Sequence, residues 1–195
     1  ESSKTLKTLD IIYRRFIELG VDRSCFVLAI GGGIVTDVAG FAASTFMRGL
    51  EFGFISTSLL GQVDASVGGK NGVNVDGYKN MVGTFCQPKF VICDIDMLRT
   101  LSKREFRTGL AEMIKSGIIA DAELFAMLEE CDFDTLAELT VWISRHTVAL
   151  HQGSLEVVGL DAILRHRNRE IFTVLGHHRL GRDLHHLLFF RLTRE

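Results

Sequence analysis

Cys25-Phe26-Val27-Leu28-Ala29-Ile30-Gly31-Gly32-Gly33-Ile34-Val35-Thr36-Asp37 decides how this chain folds. Six apolar residues run without a polar break and meet three glycines. A short, continuously apolar run of this kind is expected of a parallel strand buried on both faces. Helical spacing follows, from about Ile34 to Met47, with Val35, Val38, Ala39, Ala42 and Phe46 on the inward side. Strand, glycine turn and helix together place an anion at a helix N-terminus, where free N–H groups and the helix dipole both favour negative charge. Asp37 falls in the first turn of that helix, a position that also suits a plain dipole-complementing carboxylate.

Working outward, Ser3 is placed to cap a helix over about 4–19. Leu6, Leu9, Ile12, Phe16 and Ile17 share one face of it, and Gly20 follows as a stop. Phe52-Gly53-Phe54-Ile55-Ser56 reads as the next strand, with Thr57-Ser58 opening a short helix towards Gln62-Val63-Asp64. Phe90-Val91-Ile92-Cys93-Asp94 reads as another buried strand. Alternating strands and helices predict a parallel sheet. From Leu101 the pattern turns helical. Ser102 and Glu105 form a capping box for a helix over about 103–119, Asp121 caps one through Glu130, and a third is expected over 134–152. Glu112 and Lys115, three apart, share a helix face, which by itself is an ordinary surface ion pair.

Between the second and third strands lies Asp64 to Asn80, dense in glycine, asparagine and lysine. Lys70 and Lys79 stand nine residues apart across Asp76-Gly77, a strong signal for chain reversal, so they are expected to converge on one anion beside Asp37 and Asp64. The plain alternative is an exposed hairpin with solvated lysines.

Composition narrows the function. The net charge of −2 argues against nucleic-acid binding, which needs a basic patch. No apolar run reaches the length of a membrane span, and the polar N-terminus shows no signal peptide, so a cytoplasmic location is expected. Four cysteines without paired metal spacing read as free thiols.

Five blocks, in order and spacing, resemble the 3-dehydroquinate synthase family: Gly31–Phe41, Thr45–Gly49, Ser58–Gly72 with its Ser66-Val67-Gly68-Gly69-Lys70 core, Gly77–Gly83, and Gly109–Lys115. The resemblance covers residues 1 to about 158. It implies a fold of the α/β plus α class. A partial Rossmann-like parallel-sheet NAD domain, without its N-terminal strands, spans 1–100, and an incomplete all-helical metal-binding domain spans 101–195. It also implies roles. Gly33, Ile34, Val35, Thr36 and Asp37 would hold NAD, as would Glu1, Lys4, Thr57, Ser58, Met97 and Thr100. Asp64, Lys70, Lys79, Asn80 and Lys115 would line the substrate and cofactor site. Arg48 would reach the substrate of a neighbouring subunit, implying a homodimer. Glu112 would be one of three ligands to zinc or cobalt. The implied partner is a small phosphorylated sugar acid, DAHP, converted to 3-dehydroquinate with loss of phosphate.

The tail departs from the family. Ser154 stands where the family has a lysine, and only Gly176-His177 matches its histidine segment, leaving His177 as the other expected metal ligand. No lysine follows Lys115, and from Asp161 onward there are seven arginines and five of the seven histidines. The reading expects a shifted reading frame from about Asp161. The rival is a rearranged zinc site of Glu112 with His177 and His185, or with His178 and His186. Three functions compete: a working synthase recorded in part, a non-catalytic remnant, and a sister sugar-phosphate cyclase or polyol dehydrogenase. A chain without its leading strands is further expected to leave a sheet edge open and to associate through it.

Overall fold

The computed structural model describes residues 1–130, and as strand backbone 170–174 and 186–191. Helix α1 (Leu6–Glu18) leads into β1 (Cys25–Gly31), α2 (Gly33–Thr45) and β2 (Glu51–Ser56). A π-helical turn over Gly61–Ala65 precedes a hairpin of β3 (Lys70–Val75) and β4 (Tyr78–Phe85). The short β5 (Val91–Cys93) and a 3-10 turn over Ile95–Thr100 complete this part. Helices α3 (Lys103–Ala120) and α4 (Ala122–Glu130) follow, then β6 (Glu170–Val174) and β7 (His186–Arg191).

The main sheet has the order β5-β2-β1-β7-β6. β1 pairs in parallel with β2, and β2 with β5. Successive strand residues face opposite sides, so the apolar run of β1 serves two cores. Val27 and Ala29 pack with Phe52, Phe54, Val38, Ala39 and Phe16 under α1 and α2. Phe26 and Leu28 join Ile55 and Ile92 on the other face, where the Phe26 and Phe90 rings stack at 5.5 Å. A third core joins α3 and α4 to the segment after β2: Leu59, Leu98, Phe106, Leu110, Met113, Leu124 and Leu128.

Three expectations change. The cap of α1 is Thr5, whose Oγ1 accepts from the Thr8 N–H at 3.3 Å, because Ser3 lies in the turn before it. Thr5→Ala should cost about 1 kcal/mol, read as a lower urea midpoint with unchanged slope. The far edge of β1 is not open: β7 runs antiparallel along it from Cys25 to Ile30, and β6 pairs with β7. Two segments of the supposed helical region, 170–174 and 186–191, are therefore strands. An unpaired edge of a buried strand leaves a row of N–H and C=O groups without partners, and β7 supplies them. The helix expected over 134–152, and with it Ser154 and His177, lies outside the described residues.

Candidate functional site

The site forms where the parallel strands end. β1 stops at Gly31, β2 at Ser56 and β5 at Cys93, so their C-terminal ends lie side by side. Open α/β sheets present ligand crevices at this edge. Helix α2 starts here with Gly32 as N-cap and no side-chain hydrogen bond closing its first turn. The Oγ of fully buried Ser56 has no hydrogen-bond partner. Gln62 is also fully buried. Its Nε2 donates to the Ser56 carbonyl at 3.1 Å and to the Asp94 carbonyl at 2.9 Å, while its Oε1 has no partner. Uncapped helix N–H groups beside unpaired buried oxygens suit a polar, phosphate-bearing ligand. Sequence reading did not single out Ser56 or Gln62. Neither type carries a motif, and only burial shows their oxygens to be orphaned.

Next to this turn a buried cation joins three expected residues. Lys4, 6% exposed, donates through Nζ to Asp37 Oδ2 and to Asn80 Oδ1, the latter at 2.5 Å. Lys4 reaches the site because its backbone joins the hairpin, with its carbonyl accepting from Asn74 N–H at 2.9 Å. Burial raises the Asp37 carboxyl above its ordinary value, against the pull of Lys4; Asp64 raises it further. Glu1 pairs with Lys79 at 3.1 Å, and Lys79 holds the Glu1 carboxyl below its ordinary range.

The two lysines of the hairpin do not meet. Asp76 and Gly77, with φ of 49° and 83°, make the expected two-residue reversal between Val75 and Tyr78. The register then puts Lys70 opposite Phe85, six residues of β4 beyond Lys79, a span of roughly 20 Å. A reversal brings together residues equally far from the turn, and these two are not.

Asp64, exposed on the π-helical turn, lies within electrostatic reach of both Asp37 and Lys115. Glu112 accepts a hydrogen bond from Lys115, one turn along α3, and this bond raises the Lys115 ammonium above its usual value; Asp64 adds to the shift. Thr57 and Ser58 follow β2 directly, and Ser58 Oγ accepts from the Gly61 N–H at 3.2 Å. Met97 and Thr100 lie on the 3-10 turn after β5. Arg48 is exposed on a turn where Met47, Arg48 and Gly49 take φ of 52°, 71° and 121° in succession. Among the described residues no cluster of three or more metal-ligating side chains occurs, and Glu112 is engaged with Lys115. Cys93 is no nucleophile, since burial pushes its thiol up to about 12. Iodoacetamide at about pH 8 should leave Cys93 unmodified in the native chain and alkylate it in urea.

Parallel strand ends, a glycine turn and a helix starting there give this part of the chain the Rossmann-like α/β fold. The family described as 3-dehydroquinate synthase N-terminal matches residues 1–108. The 3-dehydroquinate synthase of Ruminiclostridium cellulolyticum is 54% identical over 123 residues, 63% of this chain and 34% of its own length. That of Pelobacter propionicus is 40% identical over 184 residues, 91% of this chain and 50% of its own. The chain thus spans half or less of these curated relatives. Among solved structures it is similar to the 2-epi-5-epi-valiolone synthase of Streptomyces hygroscopicus with NAD+ and Zn2+ bound. The TM-score is 0.71 at 35% identity, covering 76% of this chain and 43% of that one. It is also similar to a 2-deoxy-scyllo-inosose synthase complexed with carbaglucose-6-phosphate, NAD+ and Co2+. There the TM-score is 0.60 at 29% identity, over 77% and 44% of the chains. The chain belongs to the 3-dehydroquinate synthase family. Among the described residues no helix is long and apolar enough to cross a membrane.

Proposed function

We propose that this chain is the nucleotide-binding part of a cytoplasmic enzyme that converts DAHP to 3-dehydroquinate and phosphate, with NAD as a catalytic cofactor. The observation that carries the reading is Lys4 held between Asp37 and Asn80 beside the uncapped start of α2. The residues present fit a dinucleotide. Gly33 and Ile34 offer first-turn N–H groups to a pyrophosphate, and the orphaned Ser56 Oγ lies at the same strand end. Glu1, Lys4, Val35, Thr36, Thr57, Ser58, Met97 and Thr100 are proposed to complete that pocket. When bound, NAD would supply reversible hydride chemistry at the carbon that bears a substrate hydroxyl.

The chain's own residues hold and orient. Lys4 fixes the Asp37 carboxylate, so that one face of the nicotinamide pocket keeps a defined charge. Lys115 stays an ammonium, because Glu112 and Asp64 both favour its charged form. It is therefore a charge clamp for an anionic substrate and not a base. Lys79 and Asn80 are proposed as further substrate contacts, and Asp64 as the carboxylate between the cofactor and Lys115; Lys70, roughly 20 Å along the hairpin from Lys79, is not placed with them. Arg48, exposed on a left-handed turn, is proposed to reach the site of a second copy in a homodimer. The described residues do not assemble a site for zinc or cobalt, and no step is assigned to a metal. Glu112 is its one proposed ligand there, with His177 outside the described region.

Calorimetric titration of the full chain with NAD tests the reading. Saturable binding near one equivalent, weakened in Asp37→Ala, is expected. No binding up to about 1 mM, an affinity weaker than about −4 kcal/mol, would exclude a functional dinucleotide pocket.

A further inference from the structure

Asn74 has no part in the site as assigned, yet it hydrogen-bonds two of its residues, Lys4 and Asn80. It lies at the irregularity in the β3–β4 ladder, where the register shifts between Val73 and Val75. The pairs Val73↔Val82 and Val75↔Tyr78 set two steps of β3 against four of β4, so the extra residues lie on β4 around Asn80, and Asn74 opposite them has no ladder partner of its own. Asn74 uses that freedom outward: its N–H donates to the Lys4 carbonyl at 2.9 Å, and Thr5 bridges it in parallel. Its Oδ1 accepts from the Asn80 N–H at 3.0 Å. Lys79 mainly, and Asn74 least among the groups that lower it, hold the nearby Glu1 carboxyl below its ordinary range. Asn80 itself sits at φ 55°, a conformation that non-glycine residues adopt only where the surroundings hold it. In that conformation its side-chain oxygen accepts from Lys4.

We propose that Asn74 is the positioning residue of the cofactor pocket: it locks Asn80 in its left-handed conformation and ties residues 1–5 to the hairpin, so that Lys4 stays between Asp37 and Asn80. The part that concerns the cofactor rests on the dinucleotide reading above. The contact with Asn80 does not.

The test has two arms on the full, 15N-labelled chain. Hydrogen exchange by NMR compares wild type, Asn74→Ala and Asn74→Asp. The aspartate keeps an acceptor oxygen for the Asn80 N–H and loses the amide donor. In Asn74→Ala the Asn80 amide should exchange about tenfold faster while the ladder amides of Val73 and Val82 hold, and Asn74→Asp should restore protection. Unchanged exchange at Asn80, or equal acceleration across the ladder, overturns the proposal. The second arm titrates NAD into Asn74→Ala, Asn80→Ala and the double variant. Each single change should weaken binding about tenfold, and the double variant should be no worse than Asn80→Ala alone, since one route carries both effects. Additive losses would overturn it. If wild type binds no NAD, the dinucleotide reading falls, and the exchange arm alone decides whether Asn74 fixes Asn80.

Discussion

Lys4→Met is expected to destabilise the fold by about 3–5 kcal/mol. The Lys4 and Asp37 side chains are 8% and 19% exposed, so solvent screens their pair little. Methionine fills the space of the lysine stem but leaves the Asp37 carboxylate buried without its cation, and Asn80 Oδ1 without its donor. Removing one partner of a buried pair costs far more than removing both. Lys4→Met combined with Asp37→Asn should therefore recover much of the loss. The pH dependence follows from the direction of the Asp37 shift. Burial already raises this carboxyl above 3.8, and loss of Lys4 removes the group that opposes the rise. A carboxyl raised on folding favours the native state below its unfolded pKa, and that benefit is lost as pH climbs through the folded value. The gap between variant and wild type should be widest near neutrality and narrow on acidification. Urea unfolding across pH measures it. A neutral-pH cost below about 1 kcal/mol would show the pair to be solvated, as at an ordinary surface.

Gly109→Ala should unseat α3 from the sheet domain. A Cβ at this position would stand 2.6 Å from the backbone nitrogen of Leu60 and 2.6 Å from Leu59 Cγ. Backbone cannot rotate aside, and Leu59 is fully buried in the core that α3 shares with Leu98 and Leu124. The helix must retreat, at a cost of about 1–3 kcal/mol. The same retreat would carry Glu112 and Lys115 away from Asp64, so NMR shifts of the Leu59 methyls and the Asp64 amide should move together. Ala111→Ser, on the exposed side of the same helix, should stay within about 0.5 kcal/mol of wild type. A Gly109→Ala chain as stable as that control would mean that α3 is not fixed to the segment after β2.

The sequence by itself determined the strand, glycine turn and helix of residues 25–45, and the parallel pairing that follows from them. These signals are local: an apolar run buried on both faces, a glycine break and a 3.6-residue period admit few other structures. Asp76-Gly77 likewise announced its own turn, and Ser102-x-x-Glu105 its own helix start. The tertiary structure alone decided which polar groups meet. Lys4 and Asn80 are 76 residues apart and are joined because the N-terminal segment pairs with β3 at Asn74. Lys70 and Lys79, close in sequence, are carried apart by the hairpin register. The tail showed the same limit: an apolar stretch such as 187–190 fits a helix or a strand equally, and the unpaired hydrogen-bonding groups along β1 made it a strand. Side chains far apart in the chain become neighbours only through backbone pairing and packing, and neither is written at any single position.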